Sequence, residues 1–209
     1  MTCRARARPV LGERGLGDNR PRRDVEIFSF QLPIRWLAVK TVVLGPRPSE
    51  LHALIERRQR LGIDLYDEVW EGSYHVAPAA HPSHGYVDKQ LAVLLAPYAA
   101  AAALIGTGPF NLGRADDYRV PDAGYHRSLP NAVWVPTAAV VVEVVSPDDE
   151  TYEKFGFYAD HGVDELIVAD PAARTVRCWR RGTSGYAEVP GSELLTVSAD
   201  TLTRLVAWP

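Results

Sequence analysis

Glu143 stands inside AAVVVEVV, residues 138–145, with valines on both sides and no lysine or arginine in the run. A β-branched segment of this kind suits a strand covered on both faces. A carboxylate buried there costs several kcal/mol unless it is paired, protonated or bound to a metal. Candidate partners lie close in sequence: Pro121-Asp122 upstream, and Lys154 downstream in the helix-like TYEKFGFYADHG. An acid at one strand start, an acid within the next strand and a nearby lysine suit phosphodiester hydrolysis. The carboxylates hold a divalent metal that polarises the phosphoryl group. The lysine orients water or offsets charge in the transition state. Each residue alone has a plainer reading, since a Pro-Asp pair makes a turn and a helical lysine is usually solvated.

Three stretches then carry a family resemblance: DEVWEGSYHVAPAAHPSHG (67–85), FNLGRADDYRVPDAGYHR (110–127) and VVVEVVSPDDETYEKFGFYADHGVDELIVADP (140–171). In order and spacing they resemble the Uma-two-like restriction endonuclease family of the PD-(D/E)XK nuclease superfamily. The resemblance implies an α/β fold with a restriction-endonuclease-like αβββαβ core, a mixed sheet flanked by helices. It also implies Mg2+ or Mn2+ as cofactor and DNA as the expected nucleic-acid partner. Asp122 matches the aspartate of the PD motif and Glu143 the acid of the second half-motif. The backbone carbonyl of Val144 is expected to complete the metal shell. The lysine two positions after the acid is missing, because Val145 stands there. The family carries Ser146 next in line and a lysine on the following helix, here Lys154.

Further candidates surround this set. Lys154, Tyr158 and His161 recur at helical spacing on one face. Glu150 precedes Lys154 by four residues, so a solvent-exposed Glu150–Lys154 pair is the competing expectation. His84 and Asp88 lie one turn apart at the start of a second helix, where the superfamily often supplies another acid. Glu68 in DEVWEG is a rival for that role. His81, at the start of the same helix as His84, reads as a cap or polar surface residue more readily than as a ligand. His126 alternates with Asp122 and Gly124 along a strand, which offers it to the same cleft, with an exposed loop the plainer reading. Trp70, Trp134 and Trp179 are expected to fill the core or a dimer face, which leaves a homodimer open. Gly106, Gly108 and Gly113 have no GK[ST] after them and form no phosphate-cradling loop.

The elements that must position these residues are partly readable. Ser49 caps a helix from Glu50 to about Leu61. LYDEVWEG and SYHVAP read as a hairpin turning at Glu71-Gly72. Ser83 is expected to cap a second helix with Val87, Leu91, Leu94, Leu95 and Tyr98 at helical period, which Pro97 should kink or shorten. Strands are expected near 103–110, 119–125 and 138–145, then a helix at 151–161 ending at Gly162. ELIVAD and RTVRCWRR make a final strand pair, and residues 183–209 read as irregular with one or two edge strands.

At 209 residues and 46% hydrophobic content, the chain supports one sizeable core. No apolar run has transmembrane length. Cys3 and Cys178 stand in unlike contexts and suggest neither a disulfide framework nor a zinc cluster, which fits the cytoplasm. Residues 1–23 hold seven arginines against Glu13 and Asp18, a net +5, so the rest of the chain carries −8. Residues 1–38 are expected to be a basic extension outside the core, either disordered by composition or read from a misplaced start. Residues 39–209 are then one nuclease domain. The alternative to a nuclease is an inactive nucleic-acid-binding or assembly protein on the same scaffold, which the acidic body favours.

Overall fold

The valine run around Glu143 forms a strand near the middle of a six-stranded sheet, and the site is built at one end of it. The computed structural model describes residues 42–44, 49–77, 80–146 and 150–209; the expected arm at 1–23, and all of 1–38, lie outside these. The order begins β1 (Val42–Leu44), α1 (Ser49–Leu61), β2 (Glu68–Trp70), β3 (Ser73–Val76) and α2 (Pro82–Ala101). Next come β4 (Ile105–Thr107), β5 (Asn111–Arg114), β6 (Asp117–Arg119), β7 (Ala123–His126), β8 (Trp134–Val135) and β9 (Val140–Val144). A 3-10 turn (Thr151–Lys154) leads into α3 (Phe155–Asp160), β10 (Glu165–Asp170) and β11 (Thr175–Gly182). The chain closes with β12 (Gly185–Val189), β13 (Gly191–Ser192), β14 (Val197–Ser198) and α4 (Ala199–Leu205).

One sheet runs β12-β11-β10-β9-β7-β4 and the other β1-β3-β2-β6-β5-β8, with β13 and β14 as a separate pair. In the first sheet β9 pairs with β10 in parallel and with β7 antiparallel. The elements α2, β4, β7, β9, α3 and β10 therefore give the expected αβββαβ order in a mixed sheet. Strands β5, β6 and β8 leave that order to join the hairpin of β2 and β3 in the second sheet.

Strand alternation decides which side Glu143 faces. Val140, Val142 and Val144 pack with Val87, Leu91, Leu95 and Ala99 of α2. Val141 packs on the other face with Tyr158, Leu166 and Val168. Glu143 shares parity with Val141, so it points toward α3. Each large side chain buried in these clusters contributes roughly 1.5–3 kcal/mol, enough to hold one polar group among them.

The hairpin turns as expected at Glu71 (φ 49°) and Gly72 (φ 85°), both left-handed as a two-residue turn of this kind requires. Other expectations need correction. His81, not Ser83, caps α2: its Nδ1 accepts from the Ser83 backbone N–H at 3.2 Å, and Pro82 opens the helix. Pro97 does not shorten α2, which continues to Ala101 because Leu95 and Ala99 on either side are buried in the core. The segment after residue 150 starts as a 3-10 turn, so only Phe155–Asp160 is α-helical. Trp134 is 36% exposed on the two-residue β8, not core, whereas Trp179 is buried. His126 is not on an exposed loop: it is buried in β7 and hydrogen-bonds Thr107 Oγ1 at 3.1 Å. Helix α4 is a further addition to the expected irregular tail; Ser198 caps it and Leu202 anchors it. No helix among the described residues is long and apolar enough to cross a membrane.

Candidate active site

Asp122 lies one residue before β7. The register Ala123↔Val142 continues to Asp122 opposite Glu143, and residues directly opposed on antiparallel strands project to the same face. Asp122 Oδ2 accepts the Val144 backbone N–H at 2.8 Å, tying the two strand ends together. Its Oδ1 lies 2.9 Å from His84 Nε2. The other ring nitrogen of His84 is 3.0 Å from Ser146 Oγ. Helix α2 thereby fixes Asp122 from one side, and the loop after β9 fixes His84.

Glu143 is held from α3. The Tyr158 hydroxyl donates to Glu143 Oε1, and Lys154 Nζ lies 3.4 Å from the same oxygen. Lys154 is also 2.9 Å from Glu68 Oε1. Glu68 is positioned by the second sheet: Oε1 accepts the Val120 N–H at 2.7 Å and Oε2 accepts the Trp70 indole N–H at 2.6 Å. The lysine ammonium thus sits between two carboxylates, one from each sheet. Glu150 instead faces His75 Nδ1 at 3.3 Å, so the expected Glu150–Lys154 surface pair is not the arrangement found. The 3-10 winding of 151–154 breaks the spacing on which that pair relied.

Burial raises the Glu143 carboxyl, Lys154 partly offsets this, and the negative Asp122 and Glu68 push it up further. Burial disfavours charge on Lys154, yet Glu143 and Glu68 together outweigh it and raise its pKa. Burial also pulls the His84 imidazole down, while the hydrogen bond and charge of Asp122 overcome this and leave it raised. Three carboxylates therefore converge on one buried ammonium and one histidine.

Asp88 makes no hydrogen bond or ion pair with these groups among the described residues; burial and the charge of Asp122 raise its carboxyl, which His84 and Lys89 oppose. The Val144 side chain is buried in the core, and Val145, where a strand lysine was absent, packs against the apolar cluster beneath α3. Trp70, expected from the sequence to fill the core or a dimer face, stands instead at the site, bonded to Glu68. Two residues from Glu68 on the same strand, it had the period-two signal for sharing Glu68's face. The Trp70 ring also stacks on His75 at 4.5 Å and lies beneath the Arg119 guanidinium at 4.3 Å.

Among the described residues, no group of three or more His, Cys, Asp or Glu side chains is arranged to hold a metal ion. The donor chemistry nevertheless fits a hard cation resting on Asp122 and Glu143. Magnesium commonly takes one or two carboxylates and keeps several waters. Glu143 is a carboxylate 3% exposed in a site with excess negative charge, the setting that a cation relieves.

A family model described as "Uma2: Putative restriction endonuclease" matches residues 49–206. The crystal structure of "a putative nuclease belonging to DUF820" from Anabaena variabilis ATCC 29413 superposes with a TM-score of 0.53 at 16% identity. That match covers 66% of this chain and 90% of the other, and at this identity it speaks to the fold. No curated protein matches the sequence.

Proposed function

From a chain that belongs to the Uma2 family, we propose a metal-dependent endonuclease that hydrolyses phosphodiester bonds of DNA in the cytoplasm. The observation that carries this reading is the Lys154 ammonium held between Glu68 and Glu143, on the sheet face that Asp122 shares. Asp122 and Glu143, with the Val144 carbonyl, would hold Mg2+ or Mn2+. The bound ion would act as a Lewis acid on phosphoryl oxygens and make water a better nucleophile.

The protein's own groups do the rest. Lys154 offsets negative charge that develops on the phosphoryl group, and it can hold the attacking water by a hydrogen bond. Glu68 keeps that ammonium in place, and Trp70 and the Val120 N–H keep Glu68 in place. Tyr158 fixes the Glu143 rotamer. His84 and the Val144 N–H fix Asp122, with Ser146 orienting the imidazole. Charge repulsion among the three acids is eased by Lys154 and His84, and a bound cation would ease it further.

An inactive nucleic-acid-binding or assembly protein is the second reading, favoured by the net −8 of the chain after residue 23. Purified protein incubated with plasmid and with labelled oligonucleotides, with and without Mn2+, separates the two. Mn2+-dependent cleavage supports the nuclease; binding of DNA without cleavage under any divalent ion supports the second reading.

A further inference from the structure

We propose that the cavity between α2 and the β4–β7 edge receives one unstacked nucleobase of the substrate strand, with guanine the best fit. The proposal rests on the nuclease reading for the identity of the strand, and deepens it by assigning a base pocket beside the cleavage site. The cavity measures about 430 Å³, within the roughly 300–1,000 Å³ range of small-molecule pockets. Its helical wall is the alanine-rich part of α2, including Ala92, Ala96 and Ala100; its other wall is the backbone of β4 and the Gly108 turn. Small apolar walls of this kind suit the faces of a flat ring.

Three polar side chains line the cavity: the Thr107 hydroxyl is engaged with Gly124 O and His126, while Tyr125 and Asp88 have no hydrogen-bond partner among the described residues. Tyr125 is 5% exposed, and its hydroxyl makes no hydrogen bond among the described residues. Asp88 likewise makes no hydrogen bond or ion pair among them. A side chain at residue 106 would meet Tyr125 Cε1 at 3.0 Å, so Gly106 is what lets the tyrosine ring lie against β4. Neither group is sealed from solvent, since Arg119 Nε is the only buried side-chain atom without a partner among the described residues, so the edge of a ligand can replace water on both.

The cavity lies on the α2 face of the sheet, opposite the face that carries Glu143, and adjoins the site at the strand end where Asp122 meets His84. Ala123 lines it and is the neighbour of Asp122, and Asp88 follows His84 by one helical turn. His84 is in turn bonded to Asp122. A strand whose phosphate lay at Asp122 would have its adjacent base within reach. Enzymes that take a base out of the stack read its edge by hydrogen bonds and its faces by apolar contact. Guanine presents N1–H and the N2 amino group side by side, which fit the two oxygens of one carboxylate. Its O6 and N7 are acceptors for a phenol hydroxyl.

The test uses the full chain in EDTA and fluorescein-labelled single-stranded thymidine 12-mers carrying one central guanine, inosine or abasic site. Anisotropy should show the guanine oligonucleotide binding about tenfold tighter than the other two. Ala96→Leu fills the cavity from an exposed helix position and should bring all three to the same affinity. Asp88→Asn should erase the guanine-over-inosine difference, and Tyr125→Phe should reduce the preference for guanine severalfold. Equal wild-type affinity for the three, no binding of any, or a guanine preference that survives Ala96→Leu overturns the proposal. Cleavage with Mn2+ is scored separately. A guanine preference without cleavage keeps the pocket and removes the nuclease reading, and cleavage without preference does the reverse.

Discussion

Lys154 is the residue on which the chemistry turns, because its ammonium has two buried carboxylates as partners and no strand lysine to share the task. Lys154→Ala should lower the cleavage rate by about 100-fold or more while Mn2+ affinity, measured by calorimetry, changes little. Lys154→Arg should rescue poorly, since a planar guanidinium replaces a compact ammonium badly in a tight pair. Equal rates for wild type and Lys154→Ala at saturating Mn2+ would return the lysine to a structural role. The sequence shows Glu143 clearly, because one charge in a valine run has no plain explanation. It shows the partners of Lys154 only in part. Glu150 at four residues' distance is the local choice, whereas Glu68 is held 86 positions upstream by a different sheet, and no spacing rule reaches that far. Trp70 escapes for the same reason: its indole matters through Glu68, whose own place depends on the Val120 N–H of a third strand segment.

Elements with a clean period are the ones the sequence foretells. The β9 run and the core face of α2 each repeat one pattern long enough to be read, and the β2–β3 hairpin is marked by its turn residues Glu71-Gly72. Strands β5, β6 and β8 are two to four residues long, and a pair that short carries no period at all. Gly113 shows how they are shaped instead: at φ 124° a Cβ there would meet the Asp117 carbonyl at 2.4 Å, so the β5–β6 hairpin needs glycine. The β4–β7 pair gives a test by pH. Burial lowers the His126 pKa from 6.5, with a backbone hydrogen bond opposing this only in part. In the unfolded chain the ring takes up a proton as pH falls through about 6.5, while the folded protein resists it, so stability is lost on the acid side. Thermal melts of wild type should fall more steeply between pH 7 and 5 than those of His126→Gln. Parallel curves for the two proteins would show that His126 is not buried neutral.

For the molecule as a whole, the αβββαβ core positions Asp122 and Glu143, and a second sheet brings Glu68 to the lysine from outside that core. We propose residues 39–209 as the nuclease domain and 1–38 as an extension. Deleting residues 1–23 should leave the melting temperature within about 2 °C of the full chain, and any loss of DNA binding should shrink steeply as salt rises. A fall of several degrees would make the arm part of the fold. The claim that everything else depends on is that the acid pair binds a metal and that this metal is required for cleavage. Plasmid nicking and Mn2+ calorimetry on wild type and Glu143→Gln, run side by side, test it most directly. The account predicts Mn2+-dependent nicking by wild type, with loss of both nicking and Mn2+ binding in Glu143→Gln; nicking by the variant at the wild-type rate, or by wild type in excess EDTA, would contradict it.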